Sequence, residues 1–175
     1  MADVGAEDFS SYLVEMTFLL YSKLPTIPYF YRMTKYTIPL QMLDLHDDGF
    51  HPIINVSLFG KPFKLVLDTG ASKTAFDKNQ LSEANEEALI SATDKLSTGL
   101  GTNSMESYTA IVADLHIGEL KIDEFEVAVL DLSAINIAYE QLNHPQILGV
   151  LGGDILMNYK AVVDYGKKKL ILKTP

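Results

Sequence analysis

The sequence contains no cysteine, which excludes disulfide bonds, thiol nucleophiles and thiolate metal ligands. It also lacks an excess of basic residues, since 14 Lys and Arg stand against 23 Asp and Glu, for a net charge of −9. Nucleic acids and anionic membrane surfaces attract basic patches, so neither is expected as a partner. No apolar run approaches the ~18 residues that a membrane-spanning helix needs, and no membrane segment is expected.

Motifs for metals and phosphate-bearing cofactors are missing as well. The histidines have no zinc-type spacing such as H-E-x-x-H, which predicts surface or turn residues rather than ligands at His46, His51, His116 and His144. The glycine-rich stretch 149–154 has neither the lysine nor the spacing of a phosphate-binding loop. The sequence therefore predicts no metal and no cofactor.

The chain has 175 residues, of which 47% are apolar, enough for one domain with at most an appendage. Residues 1–32 differ in character from residues 33–175, and we treat them as an N-terminal extension. Their apolar residues recur at helical spacing and predict an amphipathic helix over residues 8–22. Met33 is an alternative start, which leaves open whether residues 1–32 are native. Their acidic beginning fits a signal peptide poorly, so we expect a cytoplasmic location.

The most informative motif follows a predicted buried strand. Residues 63–67 are mostly apolar and run into Asp68, Thr69 and Gly70, which predict a tight turn. A carboxylate at the end of a buried strand is costly unless hydrogen bonds or a like partner hold it. Gly70 permits a close backbone approach, and the Thr69 hydroxyl can lock the turn. An ordinary strand-end turn is the alternative for the bare triplet.

A second motif occurs near the C-terminus, over residues 147–156. Two apolar residues and Gly152 are followed, after one intervening residue, by Asp154. Asp154 is a good N-cap, so the pattern predicts a short helix over residues 155–159.

In this order the two motifs resemble those of the aspartic peptidases, and residues 53–173 resemble a single-domain, retropepsin-like member of that group. The resemblance implies a mainly β fold, a closed barrel or sandwich with one or two short helices. It makes Asp68 the catalytic carboxylate, supported in its turn by Thr69 and Gly70. The implied activity is an aspartic endopeptidase that acts on a peptide or protein substrate.

Pepsin-like enzymes carry two catalytic turns in one chain, whereas this chain carries one. The resemblance therefore implies a homodimer in which Asp68 faces the Asp68 of a second copy. Two alternatives remain open: a catalytically inactive retropepsin-fold module that dimerises or binds peptide, and a hydrolase that uses Asp68 in another way. Retropepsins pair partly through an interleaved sheet of short termini, but here the last predicted hairpin is rich in lysine at residues 167–169.

Between the motifs, the pattern predicts strands over residues 36–45, 53–59 and 109–112, and a surface helix over residues 81–95. Pro39 indicates an edge strand. The loop at residues 97–103 resembles by position the flap of the retropepsins, with Gly99, Leu100 and Gly101 at its tip. A plain surface loop is the alternative there.

A weak internal repeat completes the pattern. Residues 115–132 echo the segment that ends at Asp68, and Asp131 takes the position of Asp68 without the following Thr-Gly. We interpret Asp131 as a structural echo rather than a catalytic partner. A last hairpin is predicted from residues 160–163 and 170–172.

Overall fold

The computed structural model describes residues 33–46, 49–85, 90–92 and 108–174. Its strands are β1 (Thr34–Pro39), β2 (Gln41–Asp44), β3 (Phe50–Leu58), β4 (Lys61–Leu67), β5 (Ala75–Asp77), β6 (Ile90–Ala92), β7 (Tyr108–Ile117), β8 (Leu120–Leu130), β9 (Gly149–Leu151), β10 (Val162–Asp164) and β11 (Lys169–Thr174). Its helices are α1 (Lys78–Ala84), α2 (Ser133–Gln141) and α3 (Gly153–Asn158).

The larger sheet closes into a barrel. Its eight strands run in the order β2-β3-β4-β9-β5-β8-β7-β6. An additional pairing of β3 with β7 closes the six strands from β3 to β7, both included, into a barrel. The inner faces are lined by apolar side chains without solvent access, among them Ile54, Leu58, Leu65, Val112 and Val129. The prediction of a mainly β, closed retropepsin-like fold with few, short helices is confirmed.

The barrel has an internal symmetry that matches the predicted repeat. The hairpin β3–β4 and the hairpin β7–β8 are antiparallel pairs, and the second strand of each is joined in parallel to a short strand, β4 to β9 and β8 to β5. The short strands β5 and β9 then pair with each other in antiparallel fashion. Because of this antiparallel contact, β4 and β8 end at opposite ends of the central strands.

A smaller sheet contains the first and last strands of the described chain, in the order β1-β11-β10. The predicted edge position of Pro39 is confirmed, since β1 lies at the edge of this sheet. The predicted strand over residues 36–45 is divided at Leu40, whose N–H donates to the carbonyl of Lys168 (2.9 Å). The predicted final hairpin is present as β10 and β11.

The helix predicted over residues 81–95 is wrong in its limits. Asp77 accepts hydrogen bonds from the N–H groups of Asn79 (3.1 Å) and Gln80 (2.9 Å), and so begins α1 three residues earlier than predicted. The helix ends at Ala84, and Asn85 already has an extended backbone. Residues 90–92 form strand β6 along β7 instead of a helix.

Two predicted features lie outside the described residues. They are the N-terminal extension 1–32 and the flap-like loop with Gly99, Leu100 and Gly101, and both stay predictions. Among the helices that are described, none has the length and apolar character needed to cross a bilayer.

Candidate active site

Asp68 lies directly after β4, on the outer face of the barrel. Its N–H donates to the carbonyl of Leu151 (3.1 Å), which extends the parallel β4–β9 ladder by one residue. Side chains alternate along a strand, and Leu65 and Leu67 point into the core. Asp68 therefore shares the opposite face with Val66, and its side chain is half-buried.

The Asp68 carboxylate closes its own turn. Oδ1 accepts hydrogen bonds from the N–H groups of Gly70 (2.8 Å) and Ala71 (3.3 Å), while Oδ2 accepts none from the described part of the chain. A Cβ on Gly70 would lie 3.2 Å from Oδ1, so glycine suits this close approach. Thr69 is exposed, and the two amides hold the carboxylate; the expected role of the Thr69 hydroxyl stays a prediction.

The second motif forms backbone hydrogen bonds to the residues that follow the Asp68 turn. At the start of α3, Gly153 N–H donates to the carbonyl of Ala71 (2.8 Å), and Asp154 N–H donates to that of Ser72 (3.2 Å). A Cβ on Gly152 would lie 2.6 Å from the Lys73 carbonyl oxygen, closer than two such atoms can approach. Gly152 is therefore needed for this contact.

Asp154 is not the N-cap that the sequence predicts. The N-cap position is Gly152, which has no side chain to offer, and Asp154 lies in the first turn of α3. Its carboxylate accepts from the N–H of the next residue, Ile155 (2.8 Å), and from Thr74, through the backbone N–H (3.0 Å) and the hydroxyl (2.7 Å). The Thr74 hydroxyl also accepts from Gly152 N–H (3.0 Å), so Thr74 joins the segment that follows the Asp68 turn to the second motif.

Sequence reasoning missed Thr74, which has no solvent access. The available signal was weak: a hydroxyl residue between the turn and the apolar pair that begins β5. The partner Asp154 is distant in sequence, so no local spacing indicates the contact.

Asp131 is separated from Asp68 by the topology. It follows β8, which ends at the opposite end of the central strands from β4. Hydrogen bonds from the side chain and backbone of Ser133 lower the pKa of the Asp131 carboxyl, which is exposed. At this end the buried Asp77 carboxylate accepts from Leu132 N–H (2.8 Å), a tie that sequence reasoning also missed. Within one chain, therefore, the structural echo Asp131 does not lie beside Asp68.

The described residues contain no group of three or more His, Asp or Glu side chains placed to hold a metal ion. His51 and His116 lie within strands β3 and β7 rather than in turns, and both keep partial solvent access. His51 is half-buried, and its Nδ1 is hydrogen-bonded to the hydroxyl of Tyr139.

Residues 54–155, more than half of the chain, match the family model described as aspartyl protease. The chain therefore belongs to the aspartyl protease family. No curated protein sequence matches it.

Three solved structures are similar in fold. A retropepsin-like aspartic protease from Rickettsia conorii is 21% identical over 81% of this chain and 91% of its own, with a TM-score of 0.47. The EIAV protease in complex with an inhibitor is 20% identical over 70% of this chain and 97% of its own, with a TM-score of 0.49. The retroviral protease-like domain of Ddi1 from Leishmania major is 14% identical over 70% and 93%, with a TM-score of 0.45.

Proposed function

We propose that the protein is an aspartic endopeptidase that works as a homodimer, with Asp68 of each copy as the catalytic carboxyl. The observation that carries the proposal is the state of the Asp68 carboxylate. The amides of Gly70 and Ala71 fix one oxygen, and the other accepts no hydrogen bond from the described residues. Such a carboxylate is oriented by the protein and still able to bind water. Membership of the aspartyl protease family supports the same assignment.

The chemistry needs two carboxyls about 3 Å apart that share one proton. The ionised carboxyl takes a proton from a water molecule, and the water oxygen attacks the carbonyl carbon of the scissile peptide. The protonated carboxyl donates a hydrogen bond to the carbonyl oxygen, which carries the developing negative charge. When the tetrahedral intermediate breaks, the C–N bond is cleaved and the leaving amine takes a proton from the carboxyl that received it.

A second copy of the chain supplies the second carboxyl in this proposal. Asp131, the echo of Asp68, lies at the opposite end of the central strands and is hydrogen-bonded to Ser133. A two-fold axis that passes beside the turn would place one Asp68 opposite the other and make the two sites equivalent.

The smaller sheet bears on how the copies pair. Both edges of β11 are occupied within the chain, by β1 and by β10, so β11 has no edge left for a partner strand. Among the strands that the structure describes, β1 and β10 form the two edges of this sheet. If pairing along these edges does not bring two Asp68 turns together, the second candidate is favoured. That candidate is a retropepsin-fold module that dimerises or binds peptide without cutting it.

The direct test is Asp68→Asn, assayed for cleavage of an unfolded protein substrate from mildly acidic to neutral pH. An amide has the size of the carboxyl but cannot take a proton from water, so we expect a folded protein without activity. Asp131→Asn is the matched control, and we expect it to retain most of the activity. Full activity of Asp68→Asn would refute the assignment, and a wild-type protein that cuts nothing would favour the non-cutting module.

Subunit mixing tests the dimer separately. Wild type and Asp68→Asn are unfolded together in equal amounts and refolded, so that chains pair at random. About one quarter of the dimers then carry two intact Asp68 residues, and activity should fall to about one quarter of the all-wild-type value. A value near one half would mean that each chain works alone.

A further inference from the structure

A second, smaller apolar cluster lies on the face of the barrel that carries Asp68. Ile53 of β3 pairs with Val66 of β4, and Val66 pairs with Val150 of β9, so the three side chains form a row across neighbouring strands. Val66 precedes Asp68 by two residues, on the same face. The row therefore lies next to the proposed catalytic carboxyl, and Val150 is its half-buried member.

Tyr139 of α2 covers part of this row. Its side chain belongs to the same cluster as Ile53, Val66 and Ile147, and only 4% of it is exposed. By contrast Val150, the row residue on the strand that precedes Gly152, remains half-buried. The open part of the apolar surface beside Asp68 is thus narrowed by an aromatic ring from the α2 segment.

Two histidines, His51 and His144, form hydrogen bonds that hold Tyr139 in place. His51 lies two residues beyond the Ile53–Val66 pair, toward the same end as Asp68, and bonds the Tyr139 hydroxyl through Nδ1. On the other side the His144 N–H donates to the Tyr139 carbonyl (2.8 Å), and His144 Nε2 bonds the carbonyl of Asp44 (2.6 Å). A residue fixed at its hydroxyl and its backbone does not move aside easily for a ligand.

The α2 segment is itself tied to the second motif. The Asn136 side chain is buried and forms two hydrogen bonds with the backbone of Ile147, one from Nδ2 to the carbonyl (3.2 Å) and one from the N–H to Oδ1 (2.9 Å). Ile147 leads into β9, which pairs with the strand that carries Asp68. The position of Tyr139 relative to the catalytic turn is therefore fixed by strand pairing and these two bonds.

We propose that Tyr139 is a specificity-determining residue that restricts the substrate side chain beside the scissile bond to a small apolar one, such as alanine or valine. The surface left beside Asp68 is apolar and small, because Val150 is half-buried while Val66, Ile147 and Tyr139 of the same cluster are almost without solvent access. This inference rests on the proposed peptidase function. It concerns the depth of the pocket and leaves the catalytic chemistry unchanged.

The test begins with a peptide mixture of proteome origin, which gives the preferred cleavage sequence of the wild-type chain. Soluble peptides are then made that differ only in the residue on either side of the cleaved bond, which is Ala, Val, Leu or Phe. For the wild type we expect a higher kcat/KM with Ala or Val than with Phe at one of these two positions.

Tyr139→Ala and Tyr139→Leu should raise the Phe:Ala ratio of kcat/KM at that position by about tenfold or more, because added pocket depth is worth that much to a large apolar group. Tyr139→Leu keeps an apolar side chain in the cluster and serves if the alanine variant does not fold. Tyr159→Leu is the matched control. Tyr159 is a half-buried tyrosine packed against the main core, so its loss should leave the ratio unchanged.

Each outcome decides the matter. Active Tyr139 variants with the wild-type ratio would overturn the inference and leave the peptidase function intact. A wild type that already prefers Phe at both positions would also overturn the inference and leave the peptidase function intact. A silent wild type with an active Tyr139→Ala would support it, with Tyr139 blocking the site completely. No cleavage by any of the proteins would refute the peptidase function, and the inference with it.

Discussion

Replacement of Thr74 by valine removes one hydroxyl and little volume, so it isolates the contact that joins the segment after the Asp68 turn to the second motif. The hydroxyl donates to Asp154 Oδ1 (2.7 Å) and accepts from Gly152 N–H (3.0 Å), and Thr74 has no solvent access. In Thr74→Val the N–H of Gly152 loses its acceptor inside the protein. Asp154 keeps the backbone N–H of residue 74 but loses its hydroxyl donor.

The magnitude follows from these two losses. A buried donor left without a partner costs about 1–3 kcal/mol, and a hydrogen bond to a charged group contributes about 1.5–3 kcal/mol. Since the backbone bonds to Asp154 remain, we expect Thr74→Val to lower the free energy of unfolding by about 2–4 kcal/mol. For a domain of this size that corresponds to a fall in Tm of roughly 5–15 °C.

The assay is urea unfolding followed by circular dichroism at one fixed protein concentration, so that any change in association cannot mimic a change in stability. Thr74→Ser retains the hydroxyl and should lose only about 1 kcal/mol, for one buried methyl. Thr69→Val, in the exposed part of the same turn, should stay within about 0.5 kcal/mol of wild type. If Thr74→Ser were as destabilised as Thr74→Val, the methyl would be the cause and the argument from the hydroxyl would fail.

Two further outcomes are expected. A chain that begins at Met33 should fold and melt within a few degrees of the full chain, because the barrel, the smaller sheet and the Asp68 turn all come from later residues; an insoluble product would contradict this. Burial raises the pKa of Tyr139 above its ordinary 10.0. Its contribution to stability is therefore complete below about pH 10 and is lost as the pH rises through the higher folded value. In urea unfolding between pH 9 and 11, Tyr139→Phe should therefore lose less stability than the wild type. If both proteins lost the same amount, the raised pKa of Tyr139 would not be the cause.

The sequence predicted best what depends on neighbouring residues. The apolar run before Asp68 and the Asp-Thr-Gly triplet after it are local, and the structure has a strand and a tight turn at these positions. The two hairpins and the edge position of Pro39 were also local patterns.

Helix α2 shows why hydrophobic periodicity missed an element near the site. Its buried residues are Asn136 and Tyr139, both polar, whereas Ile135 and Ile137 are exposed. A pattern that counts apolar residues as buried therefore places the wrong face inward. The burial is possible because Asn136 bonds the backbone of Ile147 and Tyr139 bonds His51, and both partners are distant from the helix start in sequence.

Asp154 and Asp77 show a related limit for helix caps. Both are aspartates at the beginning of a short helix, and sequence rules treat them alike. Asp77 does cap its helix, but the carboxylate of Asp154 is held by Thr74, a residue 80 positions away. Asp154 accepts one local N–H, from Ile155, but two of its donors belong to Thr74, and only the folded arrangement reveals this tertiary partner.

The smaller sheet makes the same point for charge. Lys35 and Lys173 face each other directly across β1 and β11, an arrangement that costs about 0.2–1 kcal/mol. On the other face of these strands Ile38, Leu170 and Leu172 are almost without solvent access. Burial of each such side chain contributes about 1.5–3 kcal/mol, so the apolar face outweighs the opposed lysines. A lysine-rich ending therefore says little about where the last strand pairs, whereas the alternation of Leu170 and Leu172 says which face it buries.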